Sequence, residues 1–346
     1  MRAAILVLAI LLPAVAWADD EADEPDSQAA ASSAQAPQGT ARPPQQPPPP
    51  QERRRRRGSM VGYIDDATID DHVRVRFDAG TGIDIPDRAE FFYAQCGCNF
   101  AGAPGPGAAG PGDLVTSLNY QELTVDGQYA VTNRLAVFAI VPIRFLQPQG
   151  FLGATFTPPL GNTFMNASGL SDIRIGAKAA IVSNEDVTVS GQFKGIVSSG
   201  DAKQGLGTDH GSLEFSLLVN GNLSDRARLE AEFGDWHPTG GSIAPNGQTY
   251  SGDVLFYGIG PSYEVVRTPN VSLAPVVELV AWHVLGGQQQ NGGNLEDAEG
   301  TNVVNLKIGA RVTFNDRGSI YGGWGRALTD SVWYKNIVRV EYRYSF

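Results

Sequence analysis

The stretch Asn336-Ile337-Val338-Arg339-Val340-Glu341-Tyr342-Arg343-Tyr344-Ser345-Phe346 alternates strictly between apolar and polar residues. In an extended chain Val338, Val340, Tyr342, Tyr344 and Phe346 share one face, and Arg339, Glu341, Arg343 and Ser345 share the other. The same period of two recurs upstream. Ile173, Ile175 and Ile181 alternate with Asp172, Arg174 and Lys178; Leu229 and Phe233 with Arg228, Glu230 and Glu232; Leu306, Ile308 and Val312 with Lys307 and Arg311. A soluble sandwich needs one greasy face per strand against a core. Here the segments run roughly ten residues and are joined alternately by tight turns and long polar loops, the pattern of a transmembrane barrel with apolar residues toward lipid and charges toward the lumen.

The tight reversals are Thr132-Asn133, Ser183 to Asp186, Ser224-Asp225, Arg267 to Asn270 and Asn315-Asp316, all rich in residues that form turns. Opposite them lie the long connections Pro148 to Ser168, Ser199 to Asp209, Pro238 to Gly252 and Gly286 to Thr301. Counting back from Phe346 predicts strands near 333–346, 318–328, 302–313, 271–286, 253–266, 226–236, 211–222, 187–198, 170–182, 134–147, 116–130 and 88–96. The expectation is an all-β, antiparallel up-and-down transmembrane barrel of about twelve strands over residues 88–346, with both ends periplasmic. Residues 72–79 also alternate, but a thirteenth strand would break the even count, so 59–87 is read as a periplasmic or luminal entry segment. Pro142 cannot donate to a ladder and predicts a bulge.

Before residue 59 the composition forbids a core. Arg2, the apolar run Ala3 to Val15 and Ala16-Trp17-Ala18 read as a signal peptide over 1–18. Residues 19–58 pass from an acidic cluster through Pro47 to Pro50 to Arg53, Arg54, Arg55, Arg56 and Arg57, a solvated linker. The five arginines read either as a solubilising linker end or as a site for an anionic periplasmic or lipid partner.

The 346 residues carry 37 acids against 26 bases, a net charge of −11, which argues against a nucleic-acid partner. Two cysteines, Cys96 and Cys98, are too few for a disulfide scaffold, and the four histidines lack ligand spacing, so no metal or other cofactor is expected. His210 and Ser212, two apart at a strand end, raise the alternative of a surface lipid hydrolase, but no orienting third residue can be assigned, and an enzyme is not the expectation.

Parity turns Glu122, Asp172, Arg174, Lys178, Lys194, Glu214, Arg228, Glu230, Glu232, Glu278, Lys307, Arg311, Arg339, Glu341 and Arg343 into the lumen. Such a mixture reads in two ways, as an ion-pair network that fills a narrow barrel or as a selective polar pathway for a ligand. Phe138, Trp236, Phe256 and Trp282 are candidates for an apolar pocket. Trp324, Trp333 and Tyr334 are assigned to the interfacial girdle.

The stretch Gly169-Leu170-Ser171-Asp172-Ile173-Arg174-Ile175-Gly176-Ala177-Lys178, with Ser199-Gly200-Asp201 and Gly205-Leu206-Gly207-Thr208-Asp209-His210-Gly211-Ser212, resembles the outer-membrane family labelled meta-pathway of phenol degradation. The likeness runs through Asn222-Leu223-Ser224 to Trp236 and more loosely from about Asp87 to Phe346. It implies a transporter-like barrel in the cell outer membrane that passes small, often aromatic, compounds. The terminal Phe346, with aromatic residues at alternate positions, resembles the signal recognised by the outer-membrane barrel assembly machinery. A non-transporting barrel, tethered to periplasmic partners through its tail, is the structural alternative.

Overall fold

The computed structural model describes residues 58–83, 114–152, 166–208, 210–241, 246–291 and 294–346. The signal segment, the linker through Arg57, the strand expected at 88–96, both cysteines and Asp209 lie outside the described residues. Twelve antiparallel strands close into a barrel: β1 (His72–Ile83), β2 (Leu114–Thr132), β3 (Leu135–Leu152), β4 (Ile173–Ser183), β5 (Val187–Val197), β6 (Ser212–Asn222), β7 (Ala227–Pro238), β8 (Val254–Tyr263), β9 (Val271–Val284), β10 (Asn302–Phe314), β11 (Gly318–Ala327) and β12 (Asn336–Ser345). Each strand pairs with its neighbours in sequence, and β1 pairs with β12 from His72↔Ser345 to Thr81↔Asn336, which leaves no open edge.

The first strand corrects the sequence reading. His72–Ile83 is part of the wall and not of an entry segment, because Val73, Val75 and Phe77 face outward while Arg74, Arg76 and Asp78 face inward, in register with both β2 and β12. Its start sits beside the chain's C-terminal strand, so both remain at the short-turn end, periplasmic in barrels of this kind. The total of twelve holds with β1 in that place.

Burial shows which way the wall faces. On β12, Val338, Val340 and Tyr342 are 47%, 51% and 48% exposed, whereas Arg339, Glu341 and Arg343 are 8%, 1% and 4% exposed. An apolar exterior around a charged interior is stable only with lipid outside, so the strands span a membrane. The three-residue turn between β10 and β11 places Asn315 and Asp316 at φ 50° and 57°, left-handed backbone that Asn and Asp tolerate, and Arg317 donates to the Phe314 carbonyl at 3.1 Å.

Pro142 stays within β3 and keeps regular register with Thr124 of β2, and the expected bulge lies on its other side, in the partner strand, where residues 171–173 stand opposite Val141 and Pro142. The break falls on the opposite side: β4 pairs with β3 only as far as Ile140↔Arg174, a separate short strand, Ala167–Leu170, pairs with Ile143 to Leu146, and Ser171 donates to the Pro142 carbonyl at 2.9 Å. A residue's N–H and C=O point to the same neighbour in an antiparallel strand, so the donor that Pro142 lacks is missing where the ladder breaks.

Residues 58–71 run inside the barrel. They enter near Arg228 at the short-turn end, climb to an apex at Gly62 to Asp65 and return to His72. Having no strand partner, this segment takes its hydrogen bonds from the wall's acidic, basic and neutral polar side chains. Glu278, fully buried, accepts from the backbone N–H of Gly62, Tyr63 and Ile64 at 3.0, 2.8 and 3.1 Å. Met60, Val61 and Ile64 pack against Ala274, Val276, Val280 and Tyr321.

Replacing Val340 by Lys, which puts a charge into the lipid-facing belt, is expected to cost about 2–4 kcal/mol of folding free energy in bilayers. Denaturant titration in lipid vesicles would read this. A change below about 0.5 kcal/mol would contradict the assigned face.

Candidate functional site

Three layers fill the lumen. At the long-loop end an apolar collar forms from Ile83, Leu118, Leu146, Leu206, Trp236, Val254, Val284, Ala298, Val303, Trp333, Tyr334 and Ile337. Below it lies a cavity of about 260 Å³, and below that the luminal segment. The cavity meets the aromatic side chains Tyr63, Tyr120, Trp236, Phe256, Trp282, Trp333 and Tyr334. Its charged lining comprises Arg76, Arg144, Arg174, Lys194, Lys307 and Arg339 with Asp65, Asp78, Glu122, Glu214 and Glu232.

The residues expected in the lumen fall into two groups. Those holding the segment are Arg228, on the Gly58 carbonyl; Glu230, on the Met60 N–H at 2.7 Å and the Ser59 hydroxyl; Glu232, on the Asp65 N–H at 2.9 Å; and Glu278. Arg311 donates to the carbonyls of Met60 and Val61 at 3.1 and 2.6 Å, Arg339 to that of Gly62, and Lys178 to that of Asp66. Arg343 pairs with Asp66 and Asp70 at 2.7 and 2.8 Å, and Lys194 with Asp65 at 2.6 Å and also with Glu214. The second group binds the wall or lines the cavity. Glu341 pairs with Arg311 at 2.8 Å, Glu122 with Arg144 at 2.9 Å, and Asp78 with Arg339 at 2.6 Å. Lys307 lies 3.6 Å from the Tyr63 ring centroid and donates to the Tyr334 hydroxyl at 2.7 Å, and Arg174 lines the cavity.

Of the aromatic candidates, Trp236, Phe256 and Trp282 reach the cavity, while Phe138 sits lower, near Asp66 and Lys178. Trp324 is 42% exposed on the outer wall. Trp333 and Tyr334 turn inward, which corrects their assignment to the girdle: they stand in the β11–β12 connection, where strand parity gives no direction. Tyr63 and Tyr120 were not among the sequence candidates. Tyr120 follows the inward parity of Glu122 and could have been found that way.

Asp172 has a structural task. Its carboxylate accepts from the N–H of Ser199, Gly200 and Thr208 at 3.1, 3.0 and 2.8 Å, and from the Thr208 hydroxyl at 2.9 Å. The three separated pieces of the resemblance thus meet in one corner. A Cβ on Gly207 would stand 2.5 Å from Asp172 Oδ1 and 2.8 Å from the Gly200 carbonyl, so the corner admits only glycine there.

The His210 and Ser212 side chains lie close together, with Nδ1 to Oγ at 3.3 Å. That nitrogen is also 3.0 Å from the Gly211 carbonyl, which can only accept, so Nδ1 carries the proton and donates. This polarity is opposite to that of a base activating a serine.

In the luminal segment burial opposes ionisation of Asp66 and Asp70. Arg343 outweighs it at both, with Lys178 at Asp66 and His72 at Asp70, and holds both carboxyls below the ordinary aspartate range. Asp65 behaves likewise against Lys194 and Arg74. Burial pushes the phenols of Tyr63 and Tyr334 up.

No protein-family model matches the sequence, and no curated protein does. Among solved structures, an outer-membrane channel from Pseudomonas putida F1 aligns at a TM-score of 0.50 with 14% identity, covering 83% of this chain and 99% of that one. The KdgM porin aligns at 0.38 with 10% identity, and the NanC porin at 0.42 with 8%; each match covers 80% of this chain, with 99% of KdgM and 100% of NanC. Fold, closed wall and lipid-facing belt together define an outer-membrane β-barrel.

Two outcomes follow. Replacing Asp172 by Ala strands the two buried donors of Thr208 and the less buried amides of Ser199 and Gly200, and is expected to cost about 3 kcal/mol and to admit protease between Ser199 and Thr208; an unchanged denaturant midpoint would contradict its bracing role. A carboxyl depressed on docking stabilises the docked state fully above its free value, about 3.9, and the contribution disappears as the pH falls through the docked value. Hydrogen-exchange protection factors of residues 65–71 should therefore be flat from neutral pH to about pH 4 and fall below it.

Proposed function

We propose that the protein passes small, amphipathic and in particular aromatic solutes across the outer membrane by passive diffusion, with residues 58–71 as an internal closure. The observation that carries this reading is the cavity beneath the apolar collar, where aromatic and charged side chains line the same space: the rings can pack against an aromatic solute while the cations offer donors to its polar substituent. The resemblance of residues 169–178, 199–201 and 205–212 to the phenol-degradation family supports the same solute class. The luminal segment itself favours a second reading, a sealed barrel serving as a structural tether.

Currents in planar bilayers separate the two. Gly62 is the place to intervene, because a Cβ there would lie 2.2 Å from the Tyr321 ring. Gly62→Ala is expected to displace the apex and raise steady conductance several-fold over the parent chain. Silence from both proteins, each shown to be folded by its heat-dependent gel mobility, would favour the sealed barrel.

A further inference from the structure

The luminal segment is chemically one-sided. Residues 58–71 hold four aspartates and no basic residue. Three of these carboxylates occupy wall cations: Asp65 sits on Lys194, and Asp66 and Asp70 share Arg343. Six bases and five acids line the cavity, and one of those acids, Asp65, belongs to the segment. Moving the segment therefore takes negative charge from the pathway and leaves its cations in excess.

The cavity already presents cationic donors to a visitor. Lys307 lies over the Tyr63 ring and close to Tyr334 and Trp282, an aromatic surrounding that a carboxylate would outcompete electrostatically. Arg174 Nε is buried with no hydrogen-bond partner among the described residues. Lys194 faces both the cavity and Asp65.

Building on the channel reading above, we propose that the segment is an internal anion: its aspartates occupy sites that a small carboxylate solute takes in transit, so that solute and segment compete and the opened barrel prefers anions. A carboxylate in the cavity has Arg174, Lys307 and Lys194 within its lining. Binding Lys194 replaces Asp65, and drawing Lys307 away removes one of the two cations on the Tyr63 ring, leaving Arg339 at 4.0 Å. The apex is loosened on this side, and below it Arg74, Lys178 and Arg343 stand around the pocket that Asp65 and Asp66 also line. A neutral solute of the same shape has no such leverage, since it gains nothing from the cations that hold the segment.

The test uses the full-length chain in planar bilayers under a potassium chloride gradient, with benzoate or benzyl alcohol at equal concentration on the long-loop side. Open probability is expected to rise several-fold with benzoate and to stay unchanged with benzyl alcohol. The open-state reversal potential should lie toward that of chloride. Asp65→Asn and Lys194→Gln, which break the same pair, should each raise opening without solute, and in Lys194→Gln benzoate should add several-fold less than in the parent chain. Hydrogen exchange of residues 65–71 supplies a readout independent of current, with protection lost on benzoate and retained on benzyl alcohol. A potassium-preferring open state, or equal opening by the alcohol, would overturn the inference while leaving a channel. Absence of current from every folded variant would overturn the channel reading and this inference together.

Discussion

A peptide without a strand partner inside a membrane barrel must satisfy its backbone from the wall. Glu278 does so for Gly62, Tyr63 and Ile64, with the Tyr321 hydroxyl as a fourth donor at 3.0 Å. Each buried N–H left without an acceptor costs about 1–3 kcal/mol, so the apex could not stay where it is without that carboxylate. The rest of the lumen follows from this constraint. Inward acids are required for the segment's N–H groups, inward bases for its carbonyls, and an outward apolar face for the lipid, which together give the period of two along the wall.

This allocation changes the meaning of the mixed charges. Some pairs are internal to the wall: Arg144 with Glu122, Arg311 with Glu341, Arg74 with Asp126. Many other partnerships run from wall to segment, and they divide by chemistry, acids on amides and bases on carbonyls and aspartates. The network reading describes the lower lumen well. Above the segment, the collar and the cavity have a different composition, with rings and cations facing one another.

The wall was legible from sequence wherever alternation was uninterrupted. From β4 to β12 the register and the facing of residues such as Glu278, Lys307 and Arg343 follow from parity alone. β1 was misplaced because two stretches, 72–79 and 88–96, competed for one position, and an even count does not say which to choose. The luminal segment was beyond reach: Gly62 and Glu278 are 216 positions apart, and nothing local in Met60 to Asp65 announces a peptide that borrows its hydrogen bonds. Trp333 and Tyr334 were missed for a related reason, since a loop residue has no period and its direction depends on how the loop folds over the mouth.

The two limbs of the segment differ in how they can let go. The ascending limb buries Met60, Val61 and Ile64 against β9 and Tyr321, and each such side chain is worth about 1.5–3 kcal/mol when fully removed from water. The descending limb is held chiefly by polar contacts, with only Ile69 packed against Ala136 and Ala180. Polar contacts exchange with water and ions at little net cost, whereas apolar burial is regained only by returning to the same patch. The apolar anchor therefore keeps the ascending limb in place while residues 65–71 loosen, and the part of the segment that moves most easily is the part that carries the aspartates.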